Sequence, residues 1–177
     1  MRLFRRFFIG LIVVLLLLVA GAYLLPRNVS VARSITIDAA PEAVFPLINS
    51  LQAGQDWSPW LSRDPNVKLT YTGPEAGVGN TLEWTSDHPN VGNGKQVIKV
   101  SEPNSRVLTD LDFGDMGTAE AAFNLEPAGS GTRITWSLET DMGMSPMGRW
   151  MGLMMDRWIG TEYQRGLAQL KEIAEAG

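Results

Sequence analysis

The sequence predicts an α+β domain behind a membrane helix: a curved antiparallel sheet of about seven strands, covered on one face by a long C-terminal helix. Three observations predict it. Phe7 to Leu25 is nineteen residues without a charge. From Val67 to Thr140, segments of strand length alternate apolar and polar residues between clusters of Gly, Pro and Asn. From Pro146 to Glu175, apolar residues recur at helical spacing.

The uncharged segment makes a helix of ~28 Å, about the hydrocarbon thickness of a bilayer. Arg2, Arg5 and Arg6 precede it, and Pro26 stops it with only Arg27 close behind. This bias predicts residues 1–6 in the cytoplasm, 7–25 as a single transmembrane anchor in the inner or cell membrane, and a domain of residues 27–177 that is periplasmic or extracellular. A cleaved secretory signal is the rival reading, since Ala20-Gly21-Ala22 has the form of a cleavage site. Tyr23-Leu24-Leu25 carries the apolar run past that site and favours retention.

Val29 to Ile37 reads as the first strand, with Val31, Arg33, Ile35 and Ile37 on one parity. Pro41 suits the first position of a helix, PEAVFPLINSL, and Pro46 within it predicts a short or kinked one. Asp56 to Trp60 is expected to form a second short helix or turn. Six strands follow near 67–73, 80–86, 95–102, 106–113, 118–126 and 132–140. Alternation points Leu69, Tyr71, Leu82, Trp84, Val107, Thr109, Leu111, Phe113, Ala121, Phe123, Leu125, Ile134, Trp136 and Leu138 inward. Lys68, Thr70, Glu83, Asp110, Asp112, Glu120, Arg133 and Glu139 point outward. In the final helix, Met147, Met151, Met154 and Trp158 begin a stripe continued by Ile159, Tyr163, Leu167, Leu170 and Ala174, and this stripe is expected to cover the sheet.

Composition excludes several functions. Of 15 Lys and Arg, three lie before the apolar run, leaving 12 against 19 Asp and Glu. That sign opposes nucleic acid and anionic bilayers, and predicts a domain that stands off both. With no cysteine there is no disulfide, no thiolate catalysis and no lipidated cysteine. The single histidine, His88, lies in the turn-rich SDHPNVGNG and reads as a solvated loop residue, so no metal or cofactor is expected. Asp110, Asp112 and Asp115 lack the spacing of a calcium loop.

The element order resembles the helix-grip fold of the SRPBCC superfamily, which includes START-type lipid carriers and pollen-allergen-like binders, and in particular its polyketide cyclase/dehydrase-like subgroup. The resemblance rests on Ile37-Asp38-Ala39-Ala40-Pro41-Glu42-Ala43-Val44-Phe45, on Trp57-Ser58-Pro59-Trp60 with Asp64-Pro65, on Gly73-Pro74 and Gly77-Val78-Gly79, and on Gly131 to Trp136. It implies a ligand site between sheet and C-terminal helix. Six tryptophans, and six methionines between Met142 and Met155, supply apolar groups that adapt to a guest. The expected cavity wall is Tyr71, Trp84, Phe113 and Trp136 from the sheet, Met151, Met154, Met155 and Trp158 from the helix, and Trp57 and Trp60 at one end. The first functional reading is a membrane-tethered module that binds a hydrophobic small molecule or lipid. The alternatives are a cyclase- or dehydratase-like enzyme, in which Tyr71, Tyr163 or Asp56 polarises a carbonyl, and a co-chaperone-like protein–protein module.

Overall fold

Helix α1 (Arg2–Ala22) is the apolar segment, and in the computed structural model, which describes residues 2–61, 63–89 and 91–176, it is long and apolar enough to cross a membrane. Met1, Ser62, Asn90 and Gly177 lie outside the described residues. The helix ends three residues before Leu25. There the i→i+3 bonds Tyr23 N to Ala20 O, Leu24 N to Gly21 O and Leu25 N to Ala22 O tighten the turn.

Strand β1 (Asn28–Ile37) follows, then α2 (Pro41–Ile48), which starts on its proline and ends three residues before the expected Leu51. Its length of eight residues accommodates Pro46 without a long ladder to break. The second short helix is a 3-10 turn at Ala53–Asp56, one turn earlier than expected. The remaining strands are β2 (Lys68–Thr72), β3 (Thr81–Thr85), β4 (Gly94–Glu102), β5 (Arg106–Asp112), β6 (Thr118–Ala128) and β7 (Gly131–Asp141). Helix α3 (Pro146–Ala176) closes the chain.

The seven strands form one antiparallel sheet in the order β1-β7-β6-β5-β4-β3-β2. The first and last strands pair, Val31 opposite Leu138 and Ile35 opposite Ile134. The predicted parity holds: Leu82, Val107, Thr109, Phe123, Ile134, Trp136 and Leu138 are buried, and Arg133 and Asp112 are exposed. A one-residue slip would have exchanged the two faces.

Helix α3 crosses the inner face on a seam different from the expected one. Arg149, Gly152, Gly160, Tyr163, Gly166, Leu167 and Leu170 are buried. Met147, Met151, Met154 and Trp158 are exposed, Met147 to 71%. The glycines set this phase because they let the helix approach closely. A Cβ on Gly152 would stand 2.9 Å from Val29 Cγ2, and one on Gly166 would stand 2.9 Å from both Pro59 Cδ and Trp136 Cζ3. Larger side chains on the same helix are thereby turned away. The far half of the expected stripe, Tyr163, Leu167 and Leu170, is buried as read.

Candidate functional site

A cavity of about 270 Å³ lies between the sheet, the segment from α2 through Leu61, and α3. The sheet contributes Leu82, Trp84, Gln96, Thr109, Leu111, Ala121, Phe123, Trp136 and Leu138, and Phe113 stands just beyond β5. Leu51, Gly54, Trp57, Trp60 and Leu61 wall one side, and Ile159 and Tyr163 contribute from α3. Its walls are mostly aromatic and aliphatic, as in small-molecule sites generally. A larger concavity of about 820 Å³ lies on the opposite, charged face, among Asp110, Asp112, Glu120 and Glu139. It is more open, and two of its acids have local partners: Lys99 lies 3.3 Å from Asp110, and Asp112 accepts from Gly114 N at 2.8 Å. The inner cavity is the more enclosed of the two.

The aromatic wall is held by mutual stacking. The rings of Trp136 and Tyr163 stack with centroids 3.8 Å apart and planes 8° from parallel. Phe123 stacks on the other side of Trp136 at 4.9 Å, and Trp57 meets both edge-on at 5.5 and 5.7 Å. Trp57 is oriented by its indole N–H, which donates to Leu47 O at 3.0 Å. Trp84 lies over Gly94, its cross-strand partner: a Cβ there would stand 2.2 Å from Trp84 Cζ2. Only a glycine gives the indole that bed.

Several polar groups of the wall have partners within the protein. Thr109 Oγ1 donates to Ala121 O at 3.2 Å and accepts from Gln96 Nε2 at 3.1 Å. Arg63 pairs with Glu162 at 2.9 Å, its guanidinium 4.7 Å above the Trp60 ring. Trp136 Nε1, by contrast, is buried with no hydrogen-bond partner among the described residues. Burial pushes the Tyr163 phenol up, so it stays protonated at any physiological pH.

Of the expected wall, the structure brings together Trp57, Trp60, Trp84, Phe113 and Trp136. It does not bring Tyr71, Met151, Met154, Met155 or Trp158 to the cavity. Tyr71 lies on β2 at the sheet edge, where Gln55 Nε2 donates to its hydroxyl at 2.7 Å. Met151, Met154 and Trp158 face away on the rotated α3, and Met155 is half-buried against the core. Asp56 is exposed. Thr109, Leu111 and Ile159, which share the inward parity or the helical stripe, join the wall beyond the expected set. Leu51, Leu61 and Gln96 carried no periodic signal that placed them there.

The sequence pattern of the family described as polyketide cyclase/dehydrase and lipid transport matches residues 28–175. Among solved structures, truncated norcoclaurine synthase from Thalictrum flavum is 13% identical with a TM-score of 0.63, covering 82% of this chain and 92% of that one. Ara h 8.0201 is 13% identical with a TM-score of 0.62, covering 85% and 99%. The Aha1 dimer from Colwellia psychrerythraea is 17% identical with a TM-score of 0.56, covering 83% and 96%. At these identities the likeness is one of fold. No curated protein matches the chain. With its family pattern running from the first residue of β1 into the last turn of α3, the chain belongs to the polyketide cyclase/dehydrase and lipid transport family.

Proposed function

We propose that this protein is a membrane-tethered binding module that holds a hydrophobic small molecule or lipid in the inner cavity. The observation that carries the reading is a largely apolar, aromatic cavity in which Thr109 is already occupied, accepting from Gln96 and donating to Ala121 O. Such a wall recognises shape and apolarity. Its volume, just below the usual range of ligand sites (~300–1,000 Å³), suits one compact apolar body better than two acyl chains. Burying ~200 Å² of apolar guest contributes ~5 kcal/mol before the costs of association, enough for reversible retention. The tether is α1.

Native mass spectrometry of the full chain in mild detergent tests the cavity. Wild-type protein is expected to retain apolar small molecules, and Ala121→Phe, which fills the wall from β6, is expected to lose them. Equal retention by both would place the guest elsewhere and overturn the reading. One observation favours the enzyme alternative, the protonated Tyr163 phenol in the wall, which is able to donate to a carbonyl. Tyr163→Phe separates the two: a binder keeps its guest, and an enzyme keeps the guest but loses turnover.

A further inference from the structure

The first ten residues of α3, Pro146 to Met155, carry one charge, Arg149, and that side chain is buried. The rest of this stretch presents Met147, Trp150, Met151, Leu153 and Met154 to the outside. Such a face on a domain otherwise rich in acids needs a partner. What it is built against is the end of α1. Trp150 Nε1 donates to Leu18 O at 3.1 Å, and Leu18 lies four residues inside the helix, ~6 Å along its axis. Arg149 Nη1 donates to Leu25 O at 3.1 Å and to Tyr23 O at 3.4 Å, and its guanidinium lies 5.4 Å over the Tyr23 ring. These contacts fix the start of α3 beside the last turn of α1. The connection to β1 is only Tyr23–Arg27, which reaches ~17 Å fully extended.

We propose that Pro146–Met155 lies in the interface of a phospholipid bilayer, with the cavity opening toward it, so that the guest is a lipid-soluble molecule taken directly from the membrane. The inference rests on the tethering reading, because it takes its depth from α1. If α1 spans the bilayer, the Trp150 side chain bonded to Leu18 reaches ~6 Å past the helix end toward the hydrocarbon, so the start of α3 sits at the interface, where tryptophan is enriched. The sheet's register sets the direction of the mouth. The pairs Asn28–Asp141, Thr118–Asp112, Asp112–Lys95 and Gly94–Trp84 make one end of the sheet, where α1 leaves and α3 begins. The cavity reaches that end between Val91 and Met116, and Met116 is 74% exposed. The domain's acidity predicts distance from an anionic surface. The short connection and the uncharged face of α3 favour contact with a neutral one.

The absence of cysteine makes a clean test. The full chain is reconstituted in phosphatidylcholine vesicles with one nitroxide label, at Leu15→Cys in α1, Met151→Cys or Met154→Cys in α3, or Glu172→Cys at its far end. Accessibility to oxygen is compared with accessibility to a water-soluble nickel chelate. The labels at 151 and 154 are expected to favour oxygen, as does the one at 15, while the one at 172 favours nickel. If 151 and 154 behave like 172 while 15 stays oxygen-favoured, the tether stands, the docking is overturned, and the face is left for a protein partner. If 15 also favours nickel, the tether itself fails and the docking with it. Two alternative label sites in α3 guard against one variant that does not fold.

Discussion

Trp136 carries more of the inner face than any neighbouring side chain. Its ring is clamped between Tyr163 and Phe123, meets Trp57 edge-on, and stands against the backbone of α3 at Gly166. Aromatic pairs contribute about 0.5–1.5 kcal/mol beyond the area they bury. The same residue bears a cost, since its indole N–H, without a partner among the described residues, forgoes roughly 1–3 kcal/mol. The packing outweighs it. Trp136→Ala is expected to lower unfolding stability by ~3–5 kcal/mol in denaturant titration. A loss under ~1 kcal/mol would mean that the ring is not the keystone its contacts make it. Trp136→Phe tests the other side of the balance: it keeps most of the stacking while removing the orphan donor, so it is expected to cost far less.

Among the elements, the sheet was the most legible in the sequence. Period-two alternation fixes faces, so Ile134, Trp136 and Leu138 were readable as buried without any knowledge of their partners. The first half of α3 was not legible in the same way. In Pro146 to Met155 the large apolar residues form one broad arc and Gly148, Arg149 and Gly152 the other, so periodicity alone picks as buried the arc that is exposed. The signal that fixes the phase is Gly148, Gly152, Gly160 and Gly166, small residues whose role appears only against a neighbour. At Gly160 the neighbour is Arg33, whose guanidinium lies where a Cβ would go and bonds to Asp156 at 2.9 Å. The cavity wall suffered the same limit: parity placed Trp84, Phe113 and Trp136 but also drew in Tyr71 from the sheet edge, and the helix half followed the wrong phase.

The junction of α1 with the sheet is also an arrangement of elements, and it is sensitive to acid. Arg27 Nε donates to both carboxylate oxygens of Asp141, at 2.7 and 2.9 Å, and Met142 N donates to Arg27 O at 2.9 Å. The hydrogen bond from Arg27, with a second from Gly143 N, holds the Asp141 carboxyl down from 3.8 to about 2. A depressed carboxylate contributes stability that is present above its unfolded pKa and lost as pH falls through the folded value. The contribution is therefore complete above about pH 4 and fades toward pH 2. Both partners are about half exposed, so the effect is small and screened by salt. Between those limits, the melting temperature of Asp141→Asn is expected to fall less steeply with acid than that of wild type. Parallel slopes in the two proteins would show that the pair does not contribute.

At the scale of the whole molecule, the arginine bias around α1 predicts where the domain lies. Arg2, Arg5 and Arg6 before the apolar run, against Arg27 after it, predict a domain outside the cytoplasm. Alkaline phosphatase fused after the C-terminus is expected to be active, and a reporter that functions only in the cytoplasm is expected to be silent. The opposite pattern would put the domain inside. Sequencing the mature N-terminus distinguishes a retained anchor from a signal cut near Ala22.

The pairing of β1 with β7 has a consequence for how the chain acquires its shape. Ser34 and Thr135, which share a hydrogen bond across the two strands, are 101 positions apart in sequence. Synthesised from its N-terminus, β1 emerges beside α1 long before its partner strand exists. It waits, with neither β7 beside it nor α3 beneath it, until nearly the whole domain has appeared. Contacts so distant in sequence make for slow closure and for an edge open to wrong pairing in the interval. Were α1 already inserted in a bilayer, the chain would pass that interval fixed at one point, and the strands of separate copies would not diffuse together freely.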